Sequence, residues 1–340
     1  MSKRINLDHK RIIISRTDSI GDVMLTLPIC AWIKANFKDT TILFLASSYT
    51  HPVINCFSQV DEVVDWKVIQ QLPTLEKLDQ FRRLNADTIV HVFPNKEIAS
   101  LAKKVKIQNR IGTSHRTFHL LTCNHRVNFT RKKSPFHEAQ LNFELLKPFG
   151  LKGLPTLEEL NNFTSLFETP KLKLPEWLKD KLSEKSVILH GKSQGSAIEW
   201  GLKNYNEVAN LLVAKGYKVF FTGTEKEGLA IRKEIQFNEN IIDTTGKLTL
   251  TELIQLISEC KHLVACSTGP FHIAGYLGIH SIGLFSPRKP IHPGRWKALG
   301  PNVSILVDNE DCSTCRQGKV CHCIEKINPQ KVLDCIVKSN

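Results

Sequence analysis

Short apolar runs alternate with longer amphipathic segments along the first half of the chain. Runs of this length, rich in Ile, Val and Leu, are typical of buried strands. The runs are residues 11–15, 42–47, 60–66 and 87–93. The helices predicted among and after them cover about residues 22–36, the surroundings of Pro52, about 75–84 and 136–149. Strands that alternate with helices at this spacing predict a parallel sheet with crossover helices.

A second alternating unit follows a change in composition. Residues 151–183 contain three prolines among mixed polar residues, and we place the domain boundary there. Beyond it, strands are predicted at 186–190, 217–222, 262–266 and 281–285. Helices are predicted at about 204–215 and 225–236, after the capping box Thr249-x-x-Glu252, and up to Gly278. The predicted domains are therefore residues 1–165 and 183–325, and the second is typical of a doubly wound nucleotide-binding sheet.

Composition and charge narrow the class of protein. No apolar run reaches the roughly 18 residues that a membrane span needs, and the charged N-terminus with its short apolar run predicts a first strand rather than a signal peptide. We therefore expect a cytoplasmic protein. The net charge is +13, and residues 103–133 contain nine basic residues and no acidic one. This stretch is either a solvated basic face or a surface for anionic lipid headgroups or phosphorylated saccharides. We do not expect a nucleic-acid partner, because no nucleic-acid-binding module is evident.

The chain has ten cysteines, and four of them lie close together near its end. The other six are single and scattered, which in a reducing compartment predicts free thiols. The cluster has the spacing Cys312-x2-Cys315-x5-Cys321-x-Cys323, with His322 inside it. Two interpretations stay open for the cluster: a closed tetrahedral zinc site of structural type, or free thiols in a surface loop.

Two loops that follow predicted strands carry residues suited to catalysis and anion binding. In the first, Gly21 permits a tight turn and Asp22 enters the first turn of a helix, where the helix dipole by itself favours a carboxylate. The second loop, residues 190–200, has glycines and the hydroxyls of Ser193 and Ser196 that suit a bound anion. Lys192 could add a positive charge to it.

A third loop is the start of a predicted helix. Thr268 is placed as the residue before that helix, and Gly269 and a proline follow it. The unpaired N–H groups of such a helix start and its dipole both favour a diphosphate, although an ordinary helix cap with a packed His272 explains the same residues.

Taken together, these segments resemble the heptosyltransferase family, glycosyltransferase family 9. The matching segments are RIIISRTDSIGDVMLTLP, HEAQLNFELLKPFG, GSAIEWGLKNYNEVANLL, KVFFTGTEKEG, STGPFHIAGYLG and SIGLFSP. They occur in the family's order over roughly residues 11–310. The resemblance implies the GT-B fold: two Rossmann-like domains whose parallel sheets face an interdomain cleft, the first for the acceptor and the second for the nucleotide sugar. It also implies that a C-terminal helix, residues 326–340, packs back on the first domain.

The resemblance implies an inverting transfer of a sugar from a nucleotide diphosphate, with ADP-heptose favoured, and no cofactor for catalysis. Asp22 would be the general base on the acceptor hydroxyl. The donor site would comprise Ser193, Ser196, Glu227, Ser267, Thr268, Gly269 and His272. The acceptor would be an anionic lipid-linked saccharide of lipopolysaccharide-core type, reached at the inner face of the cytoplasmic membrane.

This chain departs from the family pattern at two positions. Ser267 stands where many members have Asp, and Ile198 where many have a phosphate-binding Lys. Lys192, Arg288 or Arg295 could replace that cation. Two other functions stay open at this point: a nonhydrolysing sugar-nucleotide epimerase on the same scaffold, and a noncatalytic protein that keeps the nucleotide site.

Overall fold

The structure of the protein is a computed structural model that describes residues 4–132, 134–319 and 321–339. The chain folds as two compact units that divide between Leu166 and Phe167, inside the proline-containing segment 151–183. None of the helices in the described ranges has the length and the apolar content that a membrane crossing requires.

The first unit is a parallel sheet of six described strands with helices connecting them. The strands are β1 (Arg11–Ser15), β2 (Thr41–Ala46), β3 (Glu62–Asp65), β4 (Thr88–His91), β5 (Asn109–Thr113) and β6 (His125–Val127). The helices are α1 (Ile20–Met24), α2 (Leu27–Asn36), α3 (His51–Asn55), α4 (Trp66–Gln71), α5 (Thr74–Arg83), α6 (Lys96–Lys104), α7 (Thr117–Thr122), α8 (Glu138–Phe143) and α9 (Leu157–Asn162). The strand order β3-β2-β1-β4-β5-β6 is that of a doubly wound sheet, and the predicted parallel α/β fold is confirmed.

The central strands of this sheet are buried because nearly all of their residues are apolar. Ile13 of β1 lies in register between Leu43 of β2 and Ile89 of β4, and all three belong to one buried core cluster. A strand covered on both faces needs a continuous apolar run of this kind.

The first predicted helix, 22–36, is in fact two helices with a break between them. The hydroxyl of Thr26 donates a hydrogen bond to the carbonyl oxygen of Asp22 at 2.8 Å, and Pro28 stands in the first turn of α2. Because proline has no N–H to continue the ladder of α1, the chain restarts as a new helix there.

The described part of the basic stretch, residues 103–132, includes β5, α7 and β6. The polar segments NRIGT and HRV lack the apolar runs by which the other strands were predicted. β6 is the edge strand of the sheet and β5 lies next to it, so both stand apart from the continuously apolar centre of the sheet.

The second unit repeats the same architecture. Its strands are β7 (Ser186–His190), β8 (Lys218–Phe221), β9 (Ile241–Asp243), β10 (His262–Cys266), β11 (His280–Leu284) and β12 (Val303–Leu306). Its helices are α10 (Glu176–Lys179), α11 (Leu202–Ala214), α12 (Glu225–Glu234), α13 (Leu250–Glu259), α14 (Gly269–Tyr276), α15 (Pro293–Trp296), α16 (Ser313–Arg316) and α17 (Pro329–Val337). The strand order of the described residues is β12-β11-β10-β7-β8-β9, the same winding as in the first unit.

The C-terminal helix α17 belongs to the second unit. Its apolar residues Val332, Leu333 and Ile336 are buried in the core cluster of the second unit, and it packs against α11. The chain before it is anchored by Trp200, whose Nε1 donates a hydrogen bond to the carbonyl oxygen of Ile327 at 2.9 Å. The amphipathic face of α17 therefore completes the core of its own unit.

Each sheet has a point where the winding reverses. In the first unit this point lies between β1 and β4, and in the second it lies between β7 and β10. Ligands of doubly wound sheets bind outside the carboxyl ends of the strands at such a point. The loops after β1, β7 and β10, which the sequence singled out, are the loops that leave these ends.

Candidate active site

Asp22 lies in the first turn of α1, directly after β1. Its carboxylate accepts a hydrogen bond from the hydroxyl of Ser19 and forms an ion pair with the guanidinium of Arg16. Ser19 is the N-cap residue of α1, yet its side chain makes no capping bond to the helix backbone. The hydroxyl of Ser19 therefore binds the carboxylate of Asp22 instead of capping the N-terminus of α1.

Arg16 is the buried centre of an acidic cluster that the sequence reasoning missed. Its side chain is only 4% exposed and lies among three carboxylates. The Nε atom is 2.7 Å from Asp18, and Nη1 is 3.7 Å from Glu138. Burial lowers the pKa of Arg16, but Asp18, Asp22 and Glu138 together raise it above its ordinary value. The guanidinium is therefore permanently charged and holds these acids together.

Two further groups complete this cluster. Arg131 donates to Glu138 at 2.7 Å, and it also donates to the side-chain oxygen of Asn142 at 2.9 Å. Burial raises the pKa of Asp18 to about 6; Arg16 opposes this shift and Asp22 adds to it. The only signals in the sequence were a charged residue directly after a buried strand and the acidic start of α8.

In the second unit, the loop after β7 is organised by Glu199, which was not among the predicted site residues. The backbone N–H and the hydroxyl of Ser193 donate to Glu199 at 3.0 and 3.1 Å, and Lys192 forms an ion pair with the same carboxylate. The hydroxyl of Ser196 donates to the carbonyl oxygen of Ser193 at 2.8 Å. The charge of Lys192 is therefore already paired within the loop.

The start of α14 has the properties of an anion site. Thr268 is its N-cap residue, but its side chain does not cap the helix. Its Oγ1 atom is buried and has no hydrogen-bond partner among the described residues. Gly269 and Pro270 begin the helix; because proline has no N–H, Gly269 is the one of these two residues that can offer a backbone N–H to an anion. Ser267 precedes Thr268 and is half-buried, and His272 is buried against the ring of Phe271 at 5.5 Å.

Glu227 has a structural role in addition to the predicted one. It closes the capping box of α12, since one carboxylate oxygen accepts from the backbone N–H of Thr224 at 2.7 Å and from its hydroxyl at 2.9 Å. The side chain is buried beside His190, whose pKa is lowered by burial although Glu227 raises it. The capping box explains the position of Glu227 without a ligand.

The predicted cations Arg288 and Arg295 follow β11. Arg288 is half-buried, and its backbone N–H donates to the hydroxyl of Ser286 at 3.2 Å. Arg295 is buried, and its guanidinium carbon lies 5.6 Å from the ring centroid of Trp296. Arg288 therefore follows a strand end at the same edge of the sheet as Thr268, because β11 runs parallel to β10.

The four clustered cysteines converge on one point. Their sulfur atoms all lie within 4.8 Å of one another, and the pairs Cys312–Cys321 and Cys315–Cys323 are each 3.4 Å apart. In a tetrahedral zinc site with Zn–S bonds of about 2.3 Å, the sulfurs lie about 3.8 Å apart. His322 is largely exposed and pairs with Glu325 at 2.6 Å. The cluster could hold a metal ion with four sulfur ligands.

Comparisons with known proteins agree with this architecture. A family model described as glycosyltransferase family 9 (heptosyltransferase) matches residues 79–324. The lipooligosaccharide heptosyltransferase 2 of Haemophilus influenzae is 24% identical over 293 residues, which cover 82% of this chain and 84% of that protein. The solved structure of a family 9 glycosyl transferase from Veillonella parvula aligns with a TM-score of 0.74 and 18% identity over 98% of both chains. That of the E. coli ADP-heptose LPS heptosyltransferase II aligns with a TM-score of 0.73 and 17% identity, over 97% of this chain and 98% of that one.

Proposed function

This chain belongs to glycosyltransferase family 9, and from that membership we infer that it transfers a heptose or a related sugar from a nucleotide diphosphate onto a saccharide of lipopolysaccharide-core type. It is a glycosyltransferase by family, and its relatives give no support to the epimerase alternative. One observation supports the assignment of residues: the loops with candidate chemistry leave the central strands at the switch points of both sheets.

We assign the acceptor half of the reaction to Asp22. Its carboxylate takes the proton of the acceptor hydroxyl while that oxygen bonds to the anomeric carbon, and the bond from this carbon to the diphosphate oxygen breaks. Attack opposite the leaving group inverts the configuration. Arg16 and Ser19 hold the carboxylate in one orientation, which is what a positioned base requires.

We assign the donor half to the start of α14. The departing nucleoside diphosphate gains charge as the bond breaks, and N–H groups aimed at that charge stabilise it without a metal ion. The buried, unpaired hydroxyl of Thr268 is the observation that supports a ligand there. The relative named for ADP-heptose supports ADP as the nucleotide. Ser193, Ser196, Glu227 and Ser267 are proposed to line the same site.

The variant Asp22→Asn tests this assignment through its affinity for ADP and its rate of sugar transfer. We expect ADP to bind the variant within twofold of the wild-type affinity, while turnover of ADP-heptose with a core saccharide acceptor falls about 10²–10⁴-fold. Asp39→Asn is the matched control, because Asp39 is exposed and has a left-handed backbone (φ 49°) that Asn tolerates. Turnover in Asp22→Asn equal to that of wild type would remove Asp22 from the reaction. No turnover in wild type with bound ADP would favour a noncatalytic protein.

We also propose that the basic stretch brings the enzyme to an anionic membrane surface, on which the lipid-linked acceptor lies. Leu120 and Leu121 of α7 are 54% and 75% exposed in the middle of this stretch. Exposed leucines among basic residues are typical of segments that lie on the surface of an anionic bilayer without crossing it. This would place the protein peripherally on the inner face of the cytoplasmic membrane.

Vesicle cosedimentation tests the membrane proposal. We expect the double variant Leu120→Ser, Leu121→Ser to bind vesicles containing phosphatidylglycerol about tenfold more weakly than wild type. Neither wild type nor the double variant should bind neutral phosphatidylcholine vesicles. Leu75→Ser is the control, because Leu75 is equally exposed (76%) but lies on α5 beside Glu76 and Asp79. Equal binding of wild type and the double variant would contradict the proposal.

For the cysteine cluster we propose a structural zinc ion rather than free thiols. Four sulfurs leave no open position for a substrate or water, so the ion would stabilise the fold and take no part in the transfer. Elemental analysis of protein purified without chelator should give about one zinc per chain. Less than about half an equivalent, or two disulfides by mass spectrometry, would contradict it.

A further inference from the structure

The cysteine cluster touches the end of a central strand of the second sheet. Ser286 follows β11, and its buried hydroxyl lies 3.3 Å from the sulfur of Cys315 and 3.7 Å from that of Cys323. Both of these cysteines are buried, whereas Cys312 and Cys321 are partly exposed. The cluster therefore has an inner side, and that side rests on Ser286.

Ser286 is also the anchor of the loop that carries Arg288. Its hydroxyl oxygen accepts the backbone N–H of Arg288 at 3.2 Å, and the carbonyl oxygen of Arg288 accepts the N–H of Ile291 at 3.0 Å. A chain of hydrogen bonds thus runs from Ile291 through Arg288 to Ser286 and on to the sulfurs. The backbone at the start of the loop is therefore held by the side chain of Ser286, and Trp296 Nε1 holds it further along by donating to the carbonyl oxygen of Pro290 at 3.0 Å.

This loop leaves the sheet beside the start of α14. Strands β10 and β11 are parallel neighbours, with Cys266 opposite Leu284, so Thr268 and Ser286 each lie two residues beyond that pair. Arg288 is therefore a cation near the carboxyl ends of β10 and β11, and the cysteine cluster anchors the loop that carries it. Lys192, by contrast, is paired with Glu199.

We propose that zinc in the cysteine cluster positions Arg288 for the donor diphosphate through the hydroxyl of Ser286. This rests on the function proposed above. A metal-bound thiolate has no proton and only accepts, so the hydroxyl of Ser286 must donate to sulfur and keep its oxygen free for the N–H of Arg288. A free thiol can donate to the same oxygen, and the hydroxyl then has no fixed direction. Zinc thus fixes the direction of the bond between Ser286 and sulfur, which is the one bond of this chain whose donor is not a backbone N–H.

Hydrogen exchange of the loop tests the proposal without any nucleotide. In the full-length zinc protein, we expect Ser286→Ala to keep about one zinc per chain and to speed exchange of the amides of Arg288 and Ile291 about tenfold. Removal of zinc with a chelator should have the same effect in wild type and none in Ser286→Ala. Ser186→Ala is the matched control, because the buried hydroxyl of Ser186 donates to the carbonyl oxygen of Ser183 at the opposite ends of the strands of the same sheet. Unchanged exchange in Ser286→Ala or after zinc removal would overturn the proposal, as would a protein that binds no zinc.

ADP binding by titration calorimetry tests the link to the donor. We expect Ser286→Ala to weaken ADP binding about fivefold and Arg288→Ala about tenfold, with the double variant no weaker than Arg288→Ala alone. AMP, which lacks the second phosphate, should be nearly insensitive to both changes. If the losses of ADP affinity instead multiply in the double variant, Ser286 acts on the fold and not through Arg288. A wild-type protein that binds zinc but no ADP would refute the proposed donor site, while the exchange experiment still decides the role of Ser286 in the loop.

Discussion

Replacing Asp18 by Asn should stabilise the protein at neutral pH and have little effect in acid. Burial raises the pKa of this carboxyl from its ordinary 3.8 to about 6 in the folded protein. A group whose pKa is raised by folding contributes stability that is present below the unfolded pKa and is lost as the pH rises through the folded one. The cost of charging Asp18 therefore builds up between pH 3.8 and about 6 and reaches about 3 kcal/mol above that range, at about 1.4 kcal/mol for each pH unit.

Asparagine has the shape of the protonated acid and can still accept the hydrogen bond from Arg16 Nε, which is 2.7 Å long in the wild type. The variant therefore escapes the cost of the charge without losing this contact. We expect it to be about 3 kcal/mol more stable than wild type at pH 7.5 and less than about 1 kcal/mol more stable at pH 4. For a unit of this size, 3 kcal/mol corresponds to a rise in Tm of about 6–12 °C.

Thermal and urea unfolding from pH 4 to 7.5 measure this difference, and Asp65→Asn provides a control of opposite sign. Burial raises the pKa of Asp65, but hydrogen bonds from Ser48 and from the backbone of Val68 and Lys67 lower it overall. Asp65 caps α4, and Asn can also cap, so this variant should lose stability above pH 4 and lose little below it. An Asp18→Asn protein that is equally or less stable than wild type at pH 7.5 would refute the reasoning about the buried cluster.

Three further changes have expected outcomes. Thr268→Val should leave Tm within about 2 °C of wild type, because the hydroxyl that it removes has no hydrogen-bond partner among the described residues. The same variant should weaken ADP binding about tenfold in calorimetry. A large loss of Tm would mean that this hydroxyl has a hydrogen-bond partner in the folded protein. Leu333→Ala should cost about 2–5 kcal/mol in urea unfolding because Leu333 is buried in the core of the second unit, and a loss below 1 kcal/mol would contradict that packing of α17. Gly300→Ala should lower the yield of folded protein or its Tm markedly, because φ is +148° and an added Cβ would lie 2.0 Å from the carbonyl oxygen of Gly275; a wild-type melting curve would contradict this close approach.

Much of the fold could be predicted because it depends on local pattern. The central strands are continuous apolar runs, and the capping box Thr249–Glu252 forms both of its hydrogen bonds as expected. The helix predicted to run up to Gly278 ends as expected too, since Gly278 follows α14 in the left-handed region (φ 73°). The loops with candidate chemistry could be located for the same reason, since each of them leaves a strand that the apolar pattern defines.

The partners of the candidate residues could not be predicted, because they depend on tertiary contacts. Arg16 meets Glu138 across 122 positions of the chain, and the sequence between them contains no signal for that pairing. Lys192 looked like a free cation until the structure paired it with Glu199, seven residues away in an irregular loop. The packing of α17 against α11 was likewise not predicted, because these helices are far apart in the chain.

The polar groups at the switch points of the two sheets lower the stability of the folded protein. Ser15 and His91 end β1 and β4 opposite one another, and the hydroxyl and both ring nitrogens are buried without a hydrogen-bond partner among the described residues. Thr268 has the same property after β10, and Asp18 lies three residues beyond Ser15 with its raised pKa. Each unpaired buried group costs about 1–3 kcal/mol, which apolar side chains of similar size would avoid. Such costs are usually retained where a ligand or ordered water pairs with the groups, and here they lie at the ends of the strands from which the proposed catalytic and donor loops depart.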